Sequence, residues 1–263
     1  MYLSLTSATP LTILFSVTDK SRLDTLLVQR GLAESREKAQ ALILAGAVMV
    51  EGKPAPKPGS LVSALAAIDL LASPQYVSRG GDKLAGALQA FRLNVEGLVA
   101  VDVGASTGGF TDCLLQNGAA RVYAVDVGYG LLDYRLRRDP RVDVRERVNI
   151  RYMESLPEKA DIATIDVSFI SLEKVIPTVA NLLKEGGVIL ALLKPQFQAR
   201  REEVGKKGVV RDPQIHAAVI GRLVAWAATH GLRLLGLVTS CLLGPAGNKE
   251  FFLLWRLEGK HSE

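Results

Sequence analysis

Apolar and polar positions alternate with a helical period in the first part of the chain. In "RLDTLLVQRG" and "ESREKAQALILAG" the apolar residues recur at helical spacing, and each segment stops at a glycine, Gly31 or Gly46. Ser35 is in position to cap the second helix. "VMVEGKPAPKPG" then has the pattern of a strand, a glycine turn and a proline-limited loop. Residues 20–75 are therefore predicted to form a small α+β domain.

A second pattern follows, in which continuous apolar runs alternate with helical segments. The runs are "LVAVDVG", "RVYAVDVG", "VDVRER", "IATIDVSF", "VILALLK", "LRLLGLVTS" and "EFFLLWRL". Apolar strands without polar alternation are buried on both faces, as in a parallel sheet covered by helices. Residues 83–263 are therefore predicted to form an α/β domain with a Rossmann-like, seven-stranded, mostly parallel sheet. Two glycines, Gly80 and Gly81, favour a linker at 76–82.

Residues 1–19 fit neither domain. They are apolar and rich in Ser and Thr, and no basic residue precedes Lys20. A secretory signal begins with positive charge, and a spanning helix needs about 20 nearly uninterrupted apolar residues. We expect a disordered tail or an over-extended start.

Composition narrows the class of protein. The chain has 48% hydrophobic residues, 22% charged residues and a net charge of +5, which suits a polyanionic partner without proving one. Two cysteines provide no disulfide framework, and with three scattered histidines they provide no metal-ligand cluster. We expect a reduced, metal-free, cytoplasmic protein that does not enter a membrane.

A glycine-rich loop connects the first long strand to a helix. In "AVDVGASTGGFTD" the glycines Gly104, Gly108 and Gly109 allow a tight turn and close approach to a ligand. The spacing is neither that of a dinucleotide loop nor that of a phosphate loop, and it has the D-x-G-x-x-x-G-G form of S-adenosylmethionine (SAM) sites. Asp126, at the end of the next strand, is placed to accept ribose hydroxyls. The predicted cofactor-binding residues of this pattern are Asp102, Gly104, Ser106, Gly108, Gly109, Asp126 and Asp166.

Four ionisable residues converge on the same edge of the predicted sheet. Asp166 and Lys194 end two strands, in "TIDVSF" and "VILALLKPQF". Glu250 begins the last strand, which must run opposite to its neighbours if the order is that of methyltransferases. Lys83 opens the helix that leads into the first strand. Since α/β proteins build active sites at the carboxyl edge of the sheet, these residues are candidates for catalysis.

Several segments together resemble one family. "SRGGDKLAGAL", "VDVGASTGGFTD", "KPQF" and "VGKKGVVRDP" occur in the order found in the TlyA family, whose members are often called haemolysins. The resemblance covers nearly all of the chain from Lys20. It implies a SAM-dependent 2′-O-methyltransferase acting on cytidine of ribosomal RNA, with an N-terminal RNA-binding domain and an FtsJ-type catalytic domain. The FtsJ Lys-Asp-Lys-Glu tetrad matches Lys83, Asp166, Lys194 and Glu250.

The resemblance also suggests further residue roles. It adds two predicted cofactor-binding residues. Phe110 matches an aromatic that follows the cofactor glycines, and Asn149 replaces the acidic residue expected near adenine. A ribose 2′-hydroxyl needs a base, and a lysine serves when burial or a nearby cation lowers its pKa. We assign the base to Lys194 and the second cation to Lys83. Asp166 and Glu250 would orient the two amines.

Basic residues suggest the RNA-binding surface. The small domain has seven basic and five acidic residues between 20 and 72. We also expect the loop 197–213 to be mobile and to close over RNA. The predicted RNA-binding residues are Lys20, Arg22, Arg36, Lys38, Lys53, Arg79, Lys206 and Lys207. The partner is ribosomal RNA or a ribosomal subunit.

Other functions remain open at this point. Methylation of a base amine usually brings an Asp/Asn-Pro-Pro-aromatic motif, but residues 166–169 read "DVSF". Neither cysteine is well placed for carbon methylation, and no pseudouridine synthase domain follows the small domain. A non-catalytic ribosome-assembly factor or a membrane-active haemolysin are the alternatives. The target nucleotide and the oligomeric state stay undetermined.

Overall fold

The computed structural model describes residues 20–44, 46–70, 75–244 and 247–258. The tail expected at 1–19 lies outside these residues. The chain divides into two compact units, one up to Ser73 and one from Pro74 onward.

The smaller unit has two helices and five short strands. Strand β1 (Lys20–Arg22) pairs with β4 (Leu61–Ser63), and β2 (Val48–Val50) lies between β3 (Lys53–Pro54) and β5 (Ile68–Leu70). Helices α1 (Leu23–Gln29) and α2 (Arg36–Leu44) cover a small apolar core. As expected, left-handed glycines follow both helices, Gly31 at φ 69° and Gly46 at φ 72°. The Ser35 hydroxyl accepts the Lys38 N–H at 3.2 Å.

The larger unit is built on a seven-stranded sheet, as predicted. The strands are β6 (Val99–Val103), β7 (Arg121–Val125), β8 (Val142–Arg145), β9 (Ala160–Ile165), β10 (Leu183–Leu193), β11 (Leu232–Thr239) and β12 (Phe251–Leu257). Their order is β11-β12-β10-β9-β6-β7-β8. Six strands of this sheet run in one direction, and β12 runs in the opposite direction. The start of β12 therefore lies at the edge where the parallel strands end.

Helices cover both faces of this sheet. They are α3 (Arg79–Phe91), α4 (Gly109–Gln116), α5 (Tyr134–Arg137), α6 (Ile176–Leu182), α7 (Pro195–Gln198) and α8 (Pro213–Ala228). Successive residues of β10 enter opposite cores. Ile189 and Ala191 pack with α6 and α8, whereas Leu190 and Leu192 pack with α3 and α4. Burial on both faces explains why the strands read as continuous apolar runs.

The linker expected at 76–82 is part of the larger unit. Tyr76 is buried in the core beneath α3, and α3 already begins at Arg79. The glycines were interpreted as breakers, but they permit close packing here. A Cβ at Gly81 would lie 2.2 Å from the Tyr76 ring. The absence of a side chain therefore lets the first turn of α3 lie on the tyrosine.

The segment after β10 contains short helical elements. Helix α7 is followed by 3₁₀ turns at Arg201–Glu203 and Lys206–Gly208. The expected closure of this segment over RNA stays a prediction. Across the described residues, no helix is both long enough and apolar enough to cross a membrane.

Candidate active site

The candidate residues lie at the carboxyl edge of the seven-stranded sheet. Gly104 directly follows β6, Asp126 follows β7, Asp166 follows β9 and Lys194 follows β10. Glu250 immediately precedes β12, and the antiparallel direction of β12 brings it to the same edge. The sheet topology thus assembles residues that are up to 146 positions apart in the sequence, from Gly104 to Glu250.

A large cavity of about 770 Å³ opens at this edge, between the ends of β6, β7 and β9. It combines apolar walls, including Val125, Leu131 and Ile150, with a few polar groups. This size and composition are typical of a small-molecule site. The predicted cofactor residues that line it are Gly104, Ser106, Asp126, Asn149 and Asp166.

Asp126 lines the large cavity and holds two neighbouring backbone segments. Its Oδ2 accepts the Ser106 N–H at 2.8 Å, and its Oδ1 accepts the Gly128 N–H at 2.7 Å. A carboxylate offers about four acceptor positions, so both oxygens retain capacity for a ligand. Gly104, at φ 84°, passes so close to the neighbouring strand end that a Cβ would lie 2.4 Å from the Asp166 carbonyl oxygen.

Asp102, one of the predicted cofactor-binding residues, does not line the large cavity. Its side chain is buried and accepts hydrogen bonds from the hydroxyls of Thr111 at 2.7 Å and Thr164 at 3.0 Å. Burial raises the pKa of Asp102 to about 6, against the opposing effect of the two hydroxyls. The residue therefore joins β6 to α4 and β9 beneath the loop.

Gly108 also serves packing within the protein. At φ 95°, a Cβ there would lie 2.3 Å from Leu136. Gly109 and Phe110 line a separate small cavity of about 210 Å³, which Lys83 also lines. The Phe110 ring is buried and lies 6.0 Å from that of Phe252. None of these three residues lines the large cavity.

Asn149 lies on the wall of the large cavity, where its side chain caps a 3₁₀ turn. Its Oδ1 accepts the backbone N–H and the Nε–H of Arg151, both at 3.2 Å. The Arg151 side chain also lines the cavity and was not predicted. Because Oδ1 is engaged in this way, the amide group of Asn149 has a fixed orientation.

The four candidate catalytic residues form two ion pairs. Lys83 Nζ lies 2.6 Å from Glu250 Oε2, and Lys194 Nζ lies 2.6 Å from Asp166 Oδ1. The lysine side chains are only 10% and 11% exposed. Lys83 and Asp166 both line the small cavity, which connects the two pairs. Asp166, the partner of Lys194, also lines the large cavity.

Comparison with known protein families identifies both units of the chain. The family model for the FtsJ-like methyltransferase matches residues 76–257. The chain belongs to the FtsJ-like methyltransferase family. Residues 21–64 match the S4 domain. The larger unit is therefore an FtsJ-like domain, and the smaller unit is an S4 domain.

Similar proteins extend over both domains. A candidate rRNA methyltransferase of Bacillus subtilis, YqxC, is 48% identical over 93% of this chain and 89% of its own. The 16S/23S rRNA (cytidine-2′-O)-methyltransferase TlyA of Mycobacterium tuberculosis is 44% identical over 91% of each chain. A solved structure of a candidate hemolysin from Streptococcus thermophilus has 43% identity and a TM-score of 0.71, and covers 91% of this chain and 89% of its own. The resemblance to the TlyA family is confirmed.

The FtsJ-like domain exposes an aromatic residue that sequence reasoning missed. Phe169 is 91% exposed, has φ 62°, and its ring centroid lies 4.8 Å from that of Phe197. Both rings line the large cavity and an adjacent side cavity of about 340 Å³, which also contains Lys194 and Lys207. An aromatic residue at left-handed φ is strained, and such strain clusters at functional sites. Phe169 lies three residues after the strand-end Asp166.

The predicted RNA-binding residues of the S4 domain have different surroundings. Arg22 and Arg36 both bond to the buried carboxylate of Asp24, at 2.8 Å and 3.1 Å. Lys38 pairs with Glu34, whereas Lys20 and Lys53 have exposed side chains. Arg22 and Arg36 therefore stabilise the fold of the S4 domain, whatever they contribute to RNA.

In the FtsJ-like domain, the other predicted RNA-binding residues lie near the lysine pairs. Arg79 donates to the Leu243 carbonyl oxygen at 3.0 Å and lines the small cavity. Lys207 lines the side cavity, in the same 3₁₀ turn as Lys206. An RNA strand at the lysine pairs would therefore pass close to Arg79 and Lys207.

Proposed function

We propose that this protein transfers a methyl group from S-adenosylmethionine to the 2′-oxygen of a cytidine in ribosomal RNA. The observation that supports this most directly is the pair of lysines at one sheet edge. Each amine is held 2.6 Å from a carboxylate beside a cavity large enough for a nucleoside. Such a cluster suits deprotonation of a hydroxyl rather than attack by a cysteine.

The large cavity fits the cofactor. Its apolar wall, with Val125 and Ile150, suits the adenine ring, and Asp126 suits the ribose hydroxyls. Asn149 and Arg151 are placed to contact the edge of the base. Gly104 would let the backbone approach the ligand without obstruction by a side chain. When bound, SAM supplies an electrophilic methyl group.

Lys194 acts as the general base in this proposal. Its neutral amine takes the proton of the 2′-hydroxyl as the oxygen becomes bonded to the methyl carbon. Asp166 orients the amine and afterwards stabilises the ammonium through their 2.6 Å contact. Lys83, held by Glu250, supplies a positive charge that stabilises negative charge on the oxygen.

The substrate assignment rests on the relatives and on the S4 domain. The Mycobacterium tuberculosis relative is named for cytidine-2′-O methylation of 16S and 23S rRNA. Exposed Lys20 and Lys53 of the S4 domain and Lys207 of the FtsJ-like domain are suitable for contacts to phosphate groups. A ribosomal substrate would place the reaction in the cytoplasm.

The proposal is tested with purified protein, isotopically labelled SAM, and separated small and large ribosomal subunits. After digestion of the RNA to nucleosides, mass spectrometry identifies the product. We expect 2′-O-methylcytidine with the wild-type protein. Lys194→Ala should reduce the rate about 10²- to 10⁴-fold, since it removes the general base.

Lys184→Ala is the matched control. Lys184 lies on the same strand, pairs with Asp161 at 2.7 Å, and is at the opposite edge of the sheet. It should leave the rate unchanged. A methylated base instead of a methylated ribose would refute the assigned chemistry. RNA binding without methyl transfer to either subunit would favour the assembly-factor alternative.

A further inference from the structure

Ser168 contacts the proposed base directly, although it is outside the four-residue cluster. Its Oγ accepts a hydrogen bond from Lys194 Nζ at 3.0 Å, while Asp166 Oδ1 lies 2.6 Å from the same nitrogen. Ser168 and Asp166 are two residues apart in the segment that follows β9. Both also line the large cavity. The amine therefore contacts two residues that line that cavity.

A neutral lysine amine has two N–H groups and one lone pair, arranged tetrahedrally about the nitrogen. With Asp166 as its single acceptor, the amine would rotate about the Cε–Nζ bond, and the lone pair would point in many directions. With Ser168 accepting one N–H and the Asp166 carboxylate 2.6 Å from the nitrogen as its ion-pair partner, rotation of the amine is restricted from two sides. The lone pair then occupies the remaining direction, as proton abstraction requires.

The chemical nature of Ser168 suits this role. A hydroxyl carries no charge, so it holds the amine without adding to the negative charge that favours the ammonium form. Among the described residues, the Ser168 side chain makes no other hydrogen bond. Its side chain is exposed. Packing and fold stability therefore depend little on this hydroxyl.

We infer that Ser168 is a positioning residue that directs the lone pair of Lys194 toward the 2′-hydroxyl of the substrate. This inference rests on the proposed function. Ser168 itself neither gains nor loses a proton. The proton of the 2′-hydroxyl passes to Lys194 Nζ, and the electron pair of the broken O–H bond forms the bond to the methyl carbon. The bond between that carbon and the sulfonium sulfur would break at the same time, its electron pair staying on the sulfur of the S-adenosylhomocysteine that leaves.

The test compares wild type, Ser168→Ala and Ser168→Thr under single-turnover conditions. We expect Ser168→Ala to lower the methyl-transfer rate roughly ten- to a hundredfold, as a misdirected catalytic group does. Its dissociation constants for SAM and for ribosomal RNA should stay within about twofold of wild type. Ser168→Thr retains a hydroxyl and should recover most of the rate.

Crystal structures of the wild type and of Ser168→Ala provide a readout that is independent of activity. In the wild type, Nζ of Lys194 should bond to both Asp166 and Ser168. In Ser168→Ala, the amine should keep Asp166 and occupy more than one position around it. A single unchanged position of the amine would contradict the inference.

The failure of this inference is distinguishable from failure of the proposed function. Full activity of Ser168→Ala, beside an inactive Lys194→Ala, would overturn the role of Ser168 alone. A parallel loss of SAM affinity in Ser168→Ala would show that the hydroxyl serves binding, which also overturns it. Absence of ribose methylation by the wild-type protein would remove both the proposed function and this inference.

Discussion

At the scale of single residues, Asp102 and Asp126 belong to neighbouring strand segments of one sheet but differ in burial and in hydrogen-bond partners. Asp126 accepts backbone N–H groups and lines the large cavity. Asp102 is buried, and it accepts hydrogen bonds from the side chains of Thr164 and Thr111. Because burial disfavours the charged form, the pKa of Asp102 rises to about 6. Asp102 therefore affects stability, whereas Asp126 is available to a ligand.

The raised pKa of Asp102 predicts how the stability of the protein depends on pH. Since the folded pKa of Asp102 lies above the unfolded value of about 3.9, its contribution to stability is full below pH 4 and is lost as pH rises through 6. Asp102→Asn cannot ionise. The free energy of unfolding of wild type relative to Asp102→Asn should therefore fall by up to about 3 kcal/mol between pH 4 and 7.

Urea unfolding of the two proteins at several pH values measures this change. Asp69→Asn alters an exposed carboxylate of the S4 domain and is the control, for which no such trend is expected. If the free energy of unfolding depends on pH in the same way for wild type and Asp102→Asn, the pKa of Asp102 is not raised in the folded protein.

At the scale of elements, helices α1 and α2 of the S4 domain are joined through one buried carboxylate. Asp24, in α1, accepts hydrogen bonds from Arg22 in β1 and from Arg36 and Gln40 in α2. The Arg22 guanidinium is the largest cause that holds the pKa of Asp24 well below its usual range. The same contacts restrict how Arg22 and Arg36 present their charge.

The Asp24 cluster predicts acid sensitivity of the S4 domain. Because the pKa of Asp24 is lowered in the folded state, its ionised carboxylate stabilises the domain above about pH 4. This contribution is lost as the pH falls. Asp24→Asn should lower the melting temperature of this domain at pH 7 and make its stability less dependent on pH below 4. Differential scanning calorimetry measures both. Asp69→Asn, in the same domain, should change neither, and an unaltered melting temperature for Asp24→Asn would contradict the role of the cluster.

At the scale of the whole molecule, the predicted RNA-binding residues are distributed over both domains. Lys20 and Lys53 belong to the S4 domain, whereas Arg79, Lys206 and Lys207 belong to the FtsJ-like domain. Contacts to phosphate groups position a nucleic acid and carry no sequence information. Selection of one cytidine therefore requires other contacts near the lysine pairs.

The 3₁₀ turn at Lys206–Gly208 is expected to contribute to RNA affinity. Neutralising Lys206 and Lys207 to alanine should weaken binding of ribosomal RNA and reduce the slope of log K against log salt by about 1.5. The measurement is a salt series of binding isotherms. The double variant Lys159→Ala/Lys184→Ala removes the same charge from the opposite edge of the sheet and should leave the slope unchanged. Equal slopes for both double variants would mean that the turn is only a connector.

The sequence by itself determined the seven long strands of the larger unit and the sheet edge at which the candidate catalytic residues lie. Apolar runs such as "VILALLK" specify strands buried on both faces, because burial on both faces requires apolar residues at every position. Polar residues at the ends of these runs, Asp166 and Lys194 among them, then fall at one edge through topology. The order of the motifs was enough to identify the family.

Only the tertiary structure decided which residues face a ligand and which face the protein. Asp102 and Gly108 belong to the loop motif, but their partners are Thr164 and Leu136, distant in sequence. Gly81 was interpreted as a chain breaker, although it makes room for a tyrosine ring. The contact of Ser168 with Lys194 spans 26 residues. Such contacts depend on how strands are ordered and how side chains pack, which periodicity along the chain does not specify.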